Sequence, residues 1–287
     1  MFSIIRCMLT CQCGSEKSSM KTSVFINCCT YRRLVLLVFF LLIQGCSSSD
    51  SRQPPPSAVA RVIPVVIRSI PHQREAFTQG LVYHKNKIYE STGIVGKSSL
   101  RRINPADGAV EINIPVPGLF GEGLVFKDNA LIQLTWTEGN ALIYTLPDLK
   151  IRGSLRYQGE GWGITTDGVA YIMSNGSDTL YYRDNRFAIQ KKVAVTYQGK
   201  PLNRLNELEY AKNRVYANVW FNDCIYEIDP SAGKVLRLID CTALINQIGD
   251  LGEQDVLNGI AYNNETNTFY ITGKYWPRIF EVRVPGH

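Results

Sequence analysis

Short apolar runs broken by polar turn residues recur along this chain, and five of them open with the same pattern: a polar or aromatic residue, usually glycine, then an aliphatic. The five are Gln79-Gly80-Leu81, Glu122-Gly123-Leu124, Trp162-Gly163-Ile164, Asn206-Glu207-Leu208 and Asn258-Gly259-Ile260, spaced by 43, 40, 44 and 52 residues. The fourth breaks the glycine rule with Glu207, and the longest spacing holds an insertion around Leu244–Gly252. After the first opening, Leu81-Val82-Tyr83 reads as a strand and His84-Lys85-Asn86-Lys87 as a turn. A second strand follows over Ile88–Thr92. Third strands are predicted at Leu100–Ile103, Leu142–Tyr144, Leu180–Tyr182, Ile225–Ile228 and Ile279–Val282. Turns such as Asn104-Pro105-Ala106-Asp107-Gly108 and Asp229-Pro230-Ser231-Ala232-Gly233 separate them from fourth strands. Those fall at Val110–Val116, Ile151–Tyr157, Lys191–Tyr197 and Val235–Asp240.

Four short strands at a period of this length predict an all-β, five-bladed β-propeller. The fifth copy ends at His287 without a fourth strand, while Arg61–Ile70 is a spare strand lying before the first copy. Closure of the ring by this N-terminal strand would complete the fifth blade and leave no edge open. The propeller is expected to span residues 59–287, with no second domain.

In a propeller the first strand of each blade lines the central channel, so the five lead residues Gln79, Glu122, Trp162, Asn206 and Asn258 should converge at one mouth. Fourteen residues after each lead stand Gly93, Trp136, Gly176 and Trp220, with Lys274 in register in the fifth copy after its longer turn. These should border the same mouth, although amides at strand starts can also serve only backbone groups and channel water. Among these lead and plus-14 residues Glu122 is the one carboxylate able to move protons near neutral pH. Aromatic walls would exclude water and raise its pKa. Glu90, Glu160, Glu207, Glu209 and Asp223 are competing acids near the repeats. Three histidines, at 72, 84 and 287, sit in a pre-strand, a turn and the terminus, which argues against a catalytic triad or a histidine zinc site. No glycine-rich phosphate loop leading into a helix occurs.

Composition is globular, with 45% hydrophobic and 20% charged residues. The formal charge of +6 is concentrated at the start, where residues 1–45 hold five bases and one acid. The remainder carries 26 bases against 24 acids and no basic stripe, which gives nucleic-acid binding no footprint. The apolar run Leu34–Ile43 is too short to cross a bilayer core of roughly 30 Å. With its basic flank it reads as a secretory signal over residues 1–45, whether translation starts at Met1 or Met20. Ile43-Gln44-Gly45-Cys46 resembles a bacterial lipobox, and residues 46–58 read as a flexible tether. Ordinary cleavage with a bystander cysteine is the alternative. Five of the eight cysteines fall in the leader, and Cys46 would carry the lipid. Cys224 and Cys241 remain, as a disulfide or as two buried thiols, with no metal-site spacing.

At the residues just named the chain resembles the glutamine cyclotransferase family, the plant and bacterial type of glutaminyl-peptide cyclotransferase. The matching words include Phe77-Thr78-Gln79-Gly80-Leu81, Phe120-Gly121-Glu122-Gly123-Leu124, Gln133-Leu134-Thr135-Trp136, Gly161-Trp162-Gly163, Leu205-Asn206-Glu207-Leu208-Glu209, Ala217-Asn218-Val219-Trp220 and Thr272-Gly273-Lys274-Tyr275-Trp276-Pro277. One departure is Glu160, where an aspartate is expected. The resemblance implies a five-bladed propeller and a metal-independent, cofactor-free transferase acting as a monomer on peptides or proteins that begin with glutamine. It implies Glu122 as the catalytic residue. Substrate would be bound by Phe77, Gln79, Phe120, Trp136, Trp162, Asn206, Trp220 and Lys274. Gln79, Asn206 or Lys274 would hold the carboxamide oxygen. Two readings from other classes stay open. One is a lactonase-like hydrolase with calcium on Glu122, Asn206 and Asn258; the other is a non-catalytic propeller that binds exported peptides. The lipobox predicts a protein of the cell envelope, held on the membrane through the anchor alone and facing the periplasm. Fractionation with lipid mass analysis checks this. Wild-type protein should sediment with membranes carrying acyl chains on Cys46, and Cys46→Ala should block processing or release soluble protein.

Overall fold

The computed structural model describes residues 58–286; the predicted leader, Cys46 and most of the tether lie outside them. Five antiparallel sheets follow one another around a ring, as the repeat count predicted. Blade one comprises Thr78–His84, Lys87–Thr92, Ser99–Ile103 and Val110–Pro115, from the channel outward. Blade two comprises Gly121–Lys127, Ala130–Thr135, Asn140–Thr145 and Ile151–Arg156. Blade three has shorter inner strands, Ile164–Thr166 and Tyr171–Met173, then Thr179–Arg183 and Ile189–Ala194. Blade four is Leu205–Ala211, Arg214–Val219, Cys224–Ile228 and Val235–Asp240. Leu257–Asn263, Thr268–Gly273 and Arg278–Arg283 supply three strands of blade five.

The N-terminal segment closes the ring, but it divides where a single strand was expected. Val65–Pro71 pairs antiparallel with Arg278–Arg283 as the outer strand of blade five, from Val65 opposite Arg283 to Pro71 opposite Arg278. Ala60–Val62 instead runs parallel to Val235–Asp240 and adds a fifth strand to blade four. Pro64 lies between them, and its missing N–H interrupts any continuous ladder. A second difference falls in blade three. Its outer strand is Ile189–Ala194, while Thr196–Tyr197 turns away to pair with Lys200–Pro201. The insertion in the longest repeat contains a short helix, Thr242–Ile245.

The core is layered between blades. Ile70, Leu81, Ile88, Ile103, Ala261, Tyr270 and Ile279 join blade five to blade one, and four equivalent clusters fill the other blade boundaries. Cys224 and Cys241 are buried free thiols. Cys224 stands opposite Asp240, so the next residue, Cys241, faces the other side of the sheet; one thiol joins the layer toward blade three and the other the layer toward blade five.

Around the channel the glycines of the repeat permit contact between backbones. A Cβ at Gly80 would collide with the Leu124 backbone nitrogen, and one at Gly163 with the carbonyl of Asn206. In blade four Glu207 replaces that glycine. Its fully buried carboxylate accepts the N–H of Ile260 at 2.9 Å and that of Leu81 at 3.4 Å, while Glu209 accepts Tyr262 N–H at 2.9 Å. Burial, reinforced by Glu209, pushes Glu207 well above the usual carboxylate range, and burial pushes Glu209 up to about 8.

The end of the closing strand is fixed by a buried polar cluster. The His72 ring lies 2.9 Å from Glu90 Oε1 through Nε2 and 2.7 Å from the Trp276 carbonyl through Nδ1. Thr78 Oγ1 donates to the same Glu90 oxygen at 2.6 Å, and Arg101 lies 3.7 Å from the other. Burial alone would raise the Glu90 carboxyl, but His72, Arg101 and Thr78 together hold it below its ordinary value.

Deletion through Ile70 is therefore expected to strip blade five of its outer strand and bare the Arg278–Arg283 edge. Thermal unfolding should show a large loss of stability, whereas deleting residues 47–56 should leave the transition in place. A soluble chain beginning at Pro71 with an unchanged transition would refute closure by this strand.

Candidate active site

A cavity of about 190 Å³ opens at one mouth of the channel, lined by Phe77, Gln79, Ile94, Phe120, Glu122, Trp136, Trp162, Asn206, Trp220 and Lys274. All nine residues that the resemblance proposed for the pocket thus meet around one space, from all five blades. A shared backbone clasp places many of them. In four blades the amide at the plus-14 position donates to the carbonyl two residues before the lead. These bonds are Gly93 to Phe77 (2.8 Å), Trp136 to Phe120 (3.0 Å), Trp220 to Arg204 (3.0 Å) and Lys274 to Val256 (2.9 Å). Each clasp brings the end of a second strand back beside the start of the first, at the mouth.

Glu122 lies on the inner strand of blade two and is 4% exposed. Gln79 donates its Nε2–H to Glu122 Oε1 at 2.8 Å. Behind it, Asn258 donates to the Thr78 carbonyl at 2.9 Å and to Gln79 Oε1 at 3.3 Å, which fixes the Gln79 amide with its nitrogen toward the acid. Asn258, a lead residue expected at the mouth, therefore backs the pocket without lining it. Of the set Glu122, Asn206 and Asn258, the last turns its amide nitrogen to the backbone and to Gln79, and its Oδ1 is buried without a hydrogen-bond partner among the described residues. Among the described residues no three His, Cys, Asp or Glu side chains gather closely enough to hold a metal ion.

Burial raises the Glu122 pKa well above the usual carboxylate range; Lys274 opposes the shift, and the charges of Glu160 and Glu138 add to it. The same dryness lowers Lys274 to about 8 against the pull of Glu122. The Lys274 ammonium sits 4.5 Å from the centroid of the Phe77 ring, a cation–π contact in a buried setting. The aromatic walls interlock: Phe77 meets Phe120 edge-on at 6.0 Å, Phe120 meets Trp136 at 5.6 Å, and Trp162 meets Trp220 at 5.6 Å, nearly perpendicular. Asn206 Oδ1 is buried without a hydrogen-bond partner among the described residues.

The competing acids lie elsewhere or play other parts. Glu90 belongs to the closing cluster, and Glu207 and Glu209 cap channel amides. The exposed Glu160 accepts the indole N–H groups of Trp136 (2.9 Å) and Trp162 (2.8 Å), a contact that the sequence reading did not anticipate. Ile94 was also missed. It holds a φ of 78°, rare for a β-branched residue, and its carbonyl receives the Lys97 and Ser98 amides at 2.8 Å and the Ser98 hydroxyl at 3.0 Å. Nothing in its residue type marks it for the pocket.

The site can hold a small group against apolar walls, with a carboxylate that binds protons unusually well beside a cation that loses them unusually easily. Residues 37–284 match the family model described as glutamine cyclotransferase. A glutaminyl-peptide cyclotransferase of Arabidopsis thaliana is 39% identical over 225 residues, covering 76% of this chain and 70% of the plant protein. The crystal structure of Myxococcus xanthus glutaminyl cyclase superposes with a TM-score of 0.75 at 36% identity, over 78% of this chain and 97% of the other. By its family match, this relative and this shared architecture, the chain belongs to the glutamine cyclotransferase family.

Proposed function

We propose that this protein is a glutaminyl-peptide cyclotransferase, converting the N-terminal glutamine of peptides or proteins to pyroglutamate with release of ammonia. The observation that carries the reading is the buried Glu122, oriented by Gln79 in an aromatic cavity beside Lys274. In the reaction the α-amino nitrogen bonds to the δ-carbon of its own side chain, and the bond from that carbon to the carboxamide nitrogen breaks. The reaction is thus an acyl transfer from ammonia's nitrogen to the α-amine. It is intramolecular, so walls that hold the glutamine in the ring-closing conformation supply much of the acceleration. Phe77, Phe120, Trp136, Trp162 and Trp220 form those walls.

Glu122 takes a proton from the attacking amine and delivers one to the departing nitrogen, which leaves as ammonia. Its raised pKa suits a group that must both accept and return a proton near neutrality. Lys274 faces the charge that develops on the carboxamide oxygen, and the partnerless Asn206 Oδ1 offers an acceptor for an amine N–H. Gln79 is already committed to Glu122 and Asn258, so it serves the base more than the substrate. The scheme calls on no metal, and the reading carries with it a metal-independent enzyme that acts as a monomer. Export and attachment through Cys46 would place the activity at the cell envelope, with the tether separating lipid from propeller.

Glu122→Gln retains the shape and removes the proton transfer. Ammonia release from a Gln-leading dipeptide should fall roughly 10²–10⁴-fold with unfolding unchanged. Near-normal turnover would move the catalytic role away from Glu122. Lys274 gives the second expectation. Its cation is present below its pKa of about 8 and lost above it, so kcat should decline as pH rises through that value. Lys274→Arg stays charged throughout, and its kcat profile should lose that alkaline limb even if its absolute rate is lower. An identical limb in both proteins would assign the decline to another group.

A further inference from the structure

Blade three departs from the clasp that the other four blades share. The plus-14 residue there is Gly176, and its amide donates to the Leu205 carbonyl of the next blade at 3.2 Å. Glu160 occupies the position that Phe77, Phe120, Arg204 and Val256 hold in the other copies. Its neighbour Gly161 donates instead to the Trp136 carbonyl of blade two at 2.9 Å. The segment entering blade three is therefore tied to blade two, and Glu160 stands at the boundary between them. One of its carboxylate oxygens, Oε2, accepts both indole N–H groups, from Trp136 in blade two and Trp162 in blade three.

We propose that Glu160 is a positioning residue that clamps Trp136 and Trp162 into a single wall, setting the width of the pocket that grips the substrate's glutamine side chain. The proposal rests on the cyclotransferase reading for its substrate. Trp136 needs such a tie more than the other walls. It is 41% exposed, so packing alone holds it on one side only. Hydrogen bonds to a carboxylate are stronger than neutral ones, and two of them on one oxygen couple the two rings across a blade boundary. Without the clamp each indole is free to turn toward water to satisfy its N–H, and the pocket loses a defined side. Glu160 touches the walls and not the reacting atoms, so its loss should weaken substrate binding more than turnover at saturation.

Two substitutions separate the clamp from the charge. Glu160→Ala removes the acceptor; Glu160→Gln keeps a side-chain oxygen able to accept both N–H groups and removes the negative charge. Expected for Glu160→Ala is a KM for a Gln-leading dipeptide raised on the order of tenfold, with kcat within about threefold of wild type. Glu160→Gln should restore KM to within about threefold of wild type. The chain has four tryptophans, and two of the four indole N–H resonances should shift and exchange faster with solvent in the alanine variant but not in the glutamine variant. This second readout needs no turnover. If wild-type protein is inert on every Gln-leading peptide, the activity reading falls, and the indole resonances still decide the clamp. An unchanged KM in Glu160→Ala, a Glu160→Gln variant as impaired as Glu160→Ala, or indole resonances indifferent to both changes would each overturn the proposal.

Discussion

Closing a ring with only five blades forces the inner strands against one another until backbones touch, and that crowding organises the molecule. Gly80 and Gly163 exist where a side chain would strike the neighbouring strand. The residues just before those glycines are thereby drawn to a common axis, which is why Gln79 on blade one can donate to Glu122 on blade two. Blade four meets blade five differently. Glu207 and Glu209 fill that seam with carboxylates that satisfy amides of neighbouring inner strands. Such a seam is sound only where the buried oxygens meet their donors, and these do.

The chemistry of the pocket follows from the same exclusion of water. Desolvation moves the acid and the base toward each other on the pH scale, raising Glu122 and lowering Lys274. Their mutual attraction works against both shifts, and burial wins in each case. An acid that holds its proton more tightly beside a base that holds its own less tightly suits a ring closure in which one nitrogen gives up a proton and another must gain one. The Asn258–Gln79–Glu122 relay holds the acid still while this happens, at no cost in mobile solvent.

Much of this was legible in the sequence because a repeat reports its own geometry. Equivalent positions in five copies must occupy equivalent places, so Trp136, Trp220 and Lys274 could be assigned to one mouth without coordinates. The parts that escaped are those where a copy stops behaving like the others. Glu160 looks like one acid among several until its carboxylate is seen to accept the indole N–H groups of two walls. Ile94 lines the pocket through a left-handed backbone that its residue type disfavours. The division of the closing segment was readable in principle, since Pro64 interrupts it, but the parallel partner of Ala60–Val62 was not. Strand parity, which separates Cys224 from Cys241, becomes visible only once Cys224 is known to face Asp240.

The divided segment gives the fold an asymmetric response to force. Tension arriving from the N-terminal side reaches Ala60–Val62 before it reaches the strand that completes blade five. That first element spans three residues, in parallel register with Arg237, Leu238 and Ile239, and Arg61 adds an ion pair to Asp240 at 2.9 Å. Its release would uncover the outer edge of blade four and the flank on which Val62 packs, while Val65–Pro71 keeps its own ladder to Arg278–Arg283. A chain tugged from this end therefore meets a ladder of three residue pairs before the ladder of six that completes blade five.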